Sequence, residues 1–342
     1  MSRQTLSILV FLVALGAIGG LFYFRNAAPQ KVHTVGVIEY LDVMAPTYTG
    51  FKEKMAKLGY TEGKNISYEY RQANGSFDAL DQASREFIGK NVDIIFATAL
   101  EAALSAKKET EAAGRTDIPV VFANANNPDE LGLIASFKSS GNNLTGVATD
   151  FSNVTAKKLE FLRQINPAIK KIGVFDAKIT DPAGQFMLAE LKKQAARLGM
   201  EVVLFPLVSP PTEASTAEMA KVIAEMKPGA MDAYFHLPGP LLNIPPNIPF
   251  NLQVQNKLKV PGVYLVPQMV EAGGVMSYQH SFSRVGAQAA LYADKILRGA
   301  KPSELPIEYQ DKNDLVVNPK AAQSIGLDLP QSLIGIADQV IQ

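Results

Sequence analysis

The chain has 342 residues, equal numbers of acidic and basic residues, and no cysteine. Without cysteine it cannot form disulfides, thiolate metal sites or iron–sulfur clusters, and the absence of a Lys/Arg-rich block argues against nucleic acid as a partner. The length exceeds that of most single domains, and 47% hydrophobic with 19% charged residues is ordinary for a globular protein, so two folded units are expected.

An uncharged and almost wholly apolar run covers residues 6–24, with Arg3 before it and Arg25 after it. A run of roughly 19 such residues is long enough to span a bilayer. It is either a retained anchor or a cleaved signal peptide, with Ala27 and Ala28 as part of a cleavage site. Residues 1–29 are therefore set apart as a signal or anchor segment, and the body of the chain is expected to be exported.

A first alternation of strand and helix patterns runs from His33 to Asp150. Apolar runs predict strands at residues 33–39, 92–98, 119–123 and 144–150, and helical spacing predicts helices at 48–58, 77–88 and 99–113. Continuous Val/Ile/Phe strands between helices are typical of a parallel sheet that is covered on both faces. This part predicts one complete α/β lobe.

The same alternation then starts again. Helices are predicted at residues 155–165, 184–198 and 214–226, and strands at 171–175, 201–206, 233–237 and 263–266. The exception is residues 237–250, LPGPLLNIPPNIPF, where five prolines predict an irregular loop without a regular helix. The second part is expected to be another doubly wound α/β lobe of similar size.

The last part predicts a strand at residues 275–279, a helix containing Val285 and Ile296, and a strand at 315–317. A late strand, helix and strand indicate a chain that returns to the first lobe and crosses back again. The expected division is residues 30–149 with 277–306 for the first lobe, and 150–276 with 307–342 for the second. A multi-strand hinge would join the lobes, with a ligand cleft between them.

Ligands of doubly wound sheets lie beyond the carboxyl ends of the strands, which selects the loops after them as cleft walls. The polar candidates from the first lobe and the hinge are Glu39, Tyr40, Thr98, Asn124, Asn127 and Asp150. Phe151 is an apolar candidate that, with Tyr40, would face the apolar loop of the second lobe. The second-lobe candidates are Asp176, His236, Leu241, Leu242, Ile244 and Phe250.

Three of these candidates allow two interpretations. Thr98 is either the N-cap of the following helix or part of a helix N-terminus that binds a polar or anionic ligand group. Asn124 lies in a run that either forms a turn or contacts ligand. His236 is either a ligand contact or a satisfied structural histidine.

Motifs for enzymatic chemistry are absent from the sequence. There is no phosphate-binding loop, no nucleophile elbow and no paired-histidine metal motif. The three histidines are far apart, and no nucleophile–base pair stands out. No cofactor, no metal and no enzymatic activity are expected.

Several stretches together resemble a known family: GYTEGKNISYEYRQANG (residues 59–75), VDIIFATA, IPVVFANANNPDELGLIAS, GNNLTGVAT, and the tail containing Lys-Pro-x-x-Leu-Pro. They are similar to the substrate-binding proteins of ABC transporters that include tryptophan- and tyrosine-type binding proteins. The resemblance covers nearly everything from residue 33 onward. It implies the type 1 periplasmic binding fold, an inner-membrane transporter as partner, a monomer, and a periplasmic location with anchoring through residues 6–24 if that segment is retained.

Two turns depart from the family pattern. Where members carry hydroxyl-bearing turns, this chain has Asp176-Ala-Lys and His236-Leu-Pro-Gly-Pro. An apolar loop lining the cleft would favour a hydrophobic ligand, a lipid or a sterol, with an aromatic amino acid as the alternative. The loop covers either the ligand or the lobe's own core. A membrane-anchored ligand sensor is a further alternative.

Overall fold

A computed structural model describes residues 31–177, 182–210, 213–243 and 245–342. Within them the chain forms two α/β lobes, each built on its own sheet and its own hydrophobic core. The predicted pair of lobes with parallel sheets is confirmed. The predicted anchor at residues 6–24 lies outside the described residues. In the described part of the chain, no helix combines the length and the apolar character needed to cross a bilayer.

The first lobe has a six-stranded sheet whose paired strands all run parallel. In spatial order the strands are β11 (Glu308–Tyr309), β5 (Leu144–Thr149), β4 (Val120–Asn126), β3 (Ile94–Ala97), β1 (His33–Glu39) and β2 (Ile66–Gln72). Its main helices are α1 (Ala45–Lys57), α2 (Phe77–Gly89), α3 (Leu100–Ala112) and α10 (Phe282–Leu297). Helices α1 and α10 share one core with the sheet and α2 and α3 share another, so the sheet is covered on both faces.

The second lobe has a seven-stranded sheet in which one neighbouring pair, β10 and β12, is antiparallel. In spatial order its strands are β13 (Gln339–Val340), β12 (Asn313–Val317), β10 (Met276–His280), β9 (Gly262–Tyr264), β8 (Ala233–Phe235), β6 (Lys171–Ala177) and β7 (Glu201–Leu207). Its larger helices are α4 (Phe151–Ile165), α5 (Pro182–Arg197), α6 (Glu213–Glu225) and α8 (Ile248–Leu258).

Neighbouring residues of β8 show how the helices cover this sheet. Tyr234 points to one face, where its hydroxyl donates to Asn251 Oδ1 of α8 at 2.6 Å. Phe235 points to the other face, under Lys158 of α4. Because successive side chains of a strand alternate between faces, α4 and α8 lie on opposite sides of the sheet.

The chain passes between the lobes three times. It leaves the first sheet after β5, returns through β10 into α10, and crosses again between β11 and β12. The expected boundaries differ by a few residues: β10 lies in the second sheet although residues 277–280 were expected in the first lobe. Conversely, β11 pairs with β5 in the first sheet although residues 307–309 were expected in the second lobe.

The prediction of an irregular loop at residues 237–250 was wrong. The segment contains the short helix α7 (Pro240–Asn243), a 3-10 turn at Pro245–Asn247 and the start of α8. Proline fits the first turn of a helix, where its missing N–H has no intrahelical acceptor. Here Pro240 and Pro245 begin their elements and Pro249 is the second residue of α8, so the prolines mark helix starts rather than exclude helices.

Short elements also form where no strand or helix was predicted, among them α9 (Pro267–Glu271), α12 (Gln331–Ile334) and β13, and the short helix α11 (Pro319–Ser324) follows β12. All four belong to the second lobe: residues of the three helices are buried in its core, and β13 pairs with β12 at the edge of its sheet.

Candidate functional site

A cleft lies between the two lobes, at the carboxyl ends of strands from both sheets. The first lobe lines it with Tyr40, Leu41, Val43, Met44, Glu101, Asn124 and Asn126. The second lobe and the crossing segment line it with Phe151, Pro238, Gly239, Asn243, Leu265, Gln279, His280 and Phe282. The space open to the centre of a water-sized sphere is about 30 Å³, room for about two water molecules. A larger ligand therefore requires the lobes to separate before they close over it.

Tyr40 follows β1 directly and is buried at the first-lobe wall. Its N–H donates to Thr98 Oγ1 at 3.4 Å, and its ring centroid lies 6.0 Å from that of Phe77. Thr98 thus supports Tyr40 rather than capping α3, whose N-cap is Ala99 without a side-chain hydrogen bond. The interpretation of Thr98 as an N-cap was wrong. The first turn of α3 instead places Glu101 at the cleft.

Asn124 lies inside β4, where the pairing with β5 is irregular and its own φ is +56°. The strand continues to Asn126, so these polar residues do not follow the strand as predicted but belong to its distorted end. The Asn124 amide nitrogen donates to Thr47 Oγ1 at 2.9 Å and to the Thr98 carbonyl at 3.1 Å. Its carbonyl oxygen is buried without a partner at the cleft wall.

Asn127 and Asp150 lie behind the cleft and position Phe151. Asn127 Oδ1 accepts the Phe151 N–H at 3.3 Å, and Asp150 caps α4 by accepting the Asn153 N–H at 2.9 Å. Asp150 belongs to the crossing between β5 and α4, and Asn127 directly follows β4. The structure gives these two candidates a positioning role and brings Phe151 itself into the cleft wall.

Glu39 is buried at the end of β1, one residue before Tyr40, and is not part of the cleft wall. Tyr70 donates its hydroxyl to Glu39 Oε1 at 2.8 Å. Burial raises the pKa of this carboxyl to about 7, against the lowering effect of the Tyr70 hydrogen bond. Glu39 is thus a partly neutral carboxyl near neutral pH, set behind the wall.

His236 is fully buried at the end of β8, with its ring 6.4 Å from Tyr234 and 6.3 Å from Tyr264. Within the described ranges of the chain, both ring nitrogens are without a hydrogen-bond partner, which does not fit a satisfied structural histidine. His280, at the end of β10, lines the cleft in its place, and its ring nitrogens are likewise without partners. Burial, with the charge of Lys158, lowers the pKa of both imidazoles to about 3, so both are neutral at physiological pH.

The apolar candidates of the second lobe lie elsewhere. Leu241 and Leu242 are buried in the second-lobe core and, with Asp176, line a separate cavity of about 20 Å³. Phe250 packs against the same core from α8, and Ile244 lies outside the described residues. The segment was expected to cover either the ligand or the lobe's own core. The structure places the described leucines and Phe250 over the core.

Several cleft residues were not predicted from the sequence. Gln279, His280 and Phe282 belong to the second crossing, and Leu265 follows the short strand β9. They too lie at or after the carboxyl ends of strands, because β9 and β10 both end at the cleft. The rule that ligands bind beyond strand ends would therefore also select them. Gln279, His280 and Phe282 were missed because the crossing was expected four residues too early, before residue 277 instead of after His280. Among the described residues, no group of three histidines or carboxylates could hold a metal ion.

Comparison with known proteins gives a family and related folds. The sequence model of the family described as "ABC transporter substrate binding protein" matches residues 31–341. A tyrosine-binding protein of Clostridioides difficile is 23% identical over 305 residues, covering 89% of this chain and 84% of that protein.

Two solved structures share the fold over 91% of this chain and 100% of their own. One, from Streptococcus pneumonia and in complex with L-Trp, has 22% identity and a TM-score of 0.78; the other, a conserved domain protein from Vibrio cholerae, has 24% identity and a TM-score of 0.79. At these identities the structures support the fold alone. The family match extends over nearly the whole described chain, and the protein therefore belongs to the ABC transporter substrate-binding proteins.

Proposed function

We propose that this chain is an exported binding protein that captures an aromatic amino acid between its lobes and delivers it to a membrane permease. The observation that supports this most is the mixed lining of the cleft. The rings of Tyr40, Phe151 and Phe282 lie together with the amide and imidazole groups of Asn124 and His280. Aromatic rings suit a flat apolar ligand body, and partnerless polar groups suit a polar head group.

The related proteins also favour an aromatic amino acid as the ligand. One is a tyrosine-binding protein, and one related fold was solved with L-Trp. The expectation of a lipid or sterol ligand rested on an apolar loop at the cleft. Since the described leucines and Phe250 pack over the lobe's own core, that expectation loses its basis. We therefore favour the aromatic amino acid.

Native mass spectrometry of the full chain, purified from its own host without added ligand, tests the ligand class. We expect a fraction of the protein to carry one additional mass equal to that of an aromatic amino acid. That mass should disappear after exhaustive dialysis and return on addition of the free amino acid. A co-purifying sterol or lipid that excludes added aromatic amino acids would contradict the proposal.

A further inference from the structure

Helix α4 carries a stripe of three residues that runs inward from the cleft. Phe151, Thr155 and Lys158 are spaced so that they share one helix face. Phe151 lines the cleft, while Thr155 and Lys158 are fully buried behind it. Thr155 Oγ1 and Lys158 Nζ have no hydrogen-bond partner, and Nζ lies 5.4 Å from the centre of the Phe235 ring.

The two partnerless histidines lie close to the same lysine. His236 directly follows Phe235, the residue whose ring lies under Lys158 Nζ. His280 is on the same face of β10 as Tyr278, whose ring packs against Phe161 of α4, and the charge of Lys158 lowers the pKa of both imidazoles. His280 lines the cleft and His236 ends the adjacent strand β8. For Lys158 itself, burial lowers the pKa to about 7, with no contribution from a carboxylate of the described chain.

These buried side chains lack a hydrogen-bond acceptor in the described part of the chain. Buried polar groups in proteins are nearly always hydrogen-bonded, and a buried charge is normally paired. Here an amine, a hydroxyl and two imidazoles have no hydrogen-bond partner among the described residues. An anionic oxygen would accept from all three kinds of donor, and such charge-assisted hydrogen bonds are the strong ones.

We propose that Lys158, Thr155 and His280 form a subsite that binds the anionic group of the ligand, reached from the cleft past Phe151. The inference rests on the proposed function and deepens it, because it assigns the ligand carboxylate to the second lobe. The ligand amine then faces the carbonyl oxygens of Asn124 and Asn243.

The amide geometry supports this orientation. Asn124 donates through its nitrogen to the Thr98 carbonyl, and Asn243 donates at 2.7 Å to the Gly239 carbonyl. Each side chain therefore leaves its oxygen, an acceptor, without a partner, and both residues line the cleft. Acceptors at the cleft wall, one from each lobe, and buried donors behind Phe151 match a zwitterionic head group.

The test compares three ligands on one indole scaffold with variants of the full chain. L-tryptophan has both charges, tryptamine lacks the carboxylate and indole-3-propionate lacks the amine. We expect Lys158→Met to weaken binding of the two carboxylates by about 10- to 100-fold while tryptamine changes little. Lys157→Met is the matched control, since the half-exposed Lys157 lies on the same helix and pairs with Glu160.

The pH dependence gives a readout that simple loss of packing would not produce. The carboxylate binds the ammonium form of Lys158, whose pKa in the free protein is about 7. Affinity for indole-3-propionate should therefore fall as pH rises above 7. The neighbouring His236 and His280 stay neutral in this range, and the charge of Arg284 is a further cause that lowers the pKa of His280. The Lys158→Met variant should lose this pH dependence, and Lys158→Gln should behave in the same way.

A separate probe distinguishes failure of the subsite from failure of the proposed function. Acetate supplies a carboxylate without an aromatic body, and it should raise the melting temperature of the wild type and of Lys157→Met but not of Lys158→Met. If acetate acts in this way but no indole ligand binds, the aromatic ligand is wrong and the subsite stands. If L-tryptophan binds equally to wild type and Lys158→Met, the subsite is wrong and the proposed function stands.

Discussion

Phe151 begins α4 at the point where the chain first leaves the first lobe. Its N–H is held by Asn127, and its ring is buried at the cleft wall. A residue fixed in this way can stack on a ligand ring with little loss of side-chain entropy, because it is already ordered.

Replacing this ring should weaken ligand binding more than it weakens the fold. Phe151→Ala is expected to reduce the affinity for an aromatic amino acid by about 10- to 100-fold. This factor corresponds to the free energy gained by burying one aromatic side chain. Isothermal titration calorimetry measures the change. Phe250→Ala is the matched control, since Phe250 packs on the second-lobe core away from the cleft. Equal losses of affinity in both variants would contradict the placement of the ligand.

Lys158 should lower the stability of the unliganded protein. Its pKa falls from 10.5 to about 7 on folding, so the folded state disfavours the ammonium form. The resulting penalty is absent above pH 10.5, grows as pH falls and is complete below pH 7. At about 1.4 kcal/mol per pKa unit it reaches about 5 kcal/mol.

Lys158→Met is therefore expected to be more stable than the wild type at pH 7 and to lose most of that advantage at pH 10. Urea unfolding at the two pH values measures the difference in the free energy of unfolding. A variant that is less stable than the wild type at pH 7 would show that Lys158 has a partner in the free protein.

Sequence reasoning placed Tyr40 and Phe151 at the ends of strands, where the structure puts the cleft. It had no means of finding Lys158. A lysine in the middle of a helix normally lies on the solvent face, and the neighbouring Lys157 does so. Lys158 differs from Lys157 only in that it lies on the buried helix face, with Phe151 and Thr155. Asn124 was found as a polar residue after a strand, but its positive φ and the direction of its carbonyl depend on the distorted end of β4.

Helices α1 and α10 come from distant parts of the sequence and pack closely in the first lobe. A Cβ atom at Gly286 would lie 1.9 Å from the Thr47 carbonyl oxygen, and one at Gly50 would lie 2.0 Å from the Ser283 carbonyl oxygen. The contact therefore requires glycine on both helices. It attaches α10, which follows the second crossing, to the core of the first lobe.

Gly286→Ala is expected to destabilise the protein by about 3 kcal/mol or more, because backbone atoms of α1 must move. Gly89→Ala is the control, as that position in α2 has open space around it, and a small gain of about 0.5 to 1 kcal/mol is expected. Chemical denaturation measures both. A neutral Gly286→Ala would mean that the two helices pack less closely than described.

At the level of elements, apolar runs located most strands because a two-sided parallel sheet requires continuous hydrophobic residues. The prolines of residues 237–250 were misread, since a proline breaks a helix or begins one depending on its position. Strands β11 and β13 have two residues each and exposed side chains. They form through pairing with a neighbouring strand, and no local sequence pattern predicts that pairing.

The whole molecule joins its lobes through three crossings, with the cleft beside them. The cleft has room for about two water molecules, so the proposed capture of an amino acid requires opening and closing of the lobes. The ligand then connects both walls: Tyr40 and Asn124 on one side, and Phe151 and His280 on the other. A ligand that binds only the closed form shifts the population of the protein toward that form as the ligand concentration rises.

The most direct test of this account is a titration of L-tryptophan with the full chain, followed through the fluorescence of the ligand itself. This is possible because the protein contains no tryptophan. The account predicts a saturable change with one site per chain, reversed by added L-tyrosine and reduced in Phe151→Ala. The absence of saturable binding by any aromatic amino acid, with folded protein verified in the same sample, would contradict it.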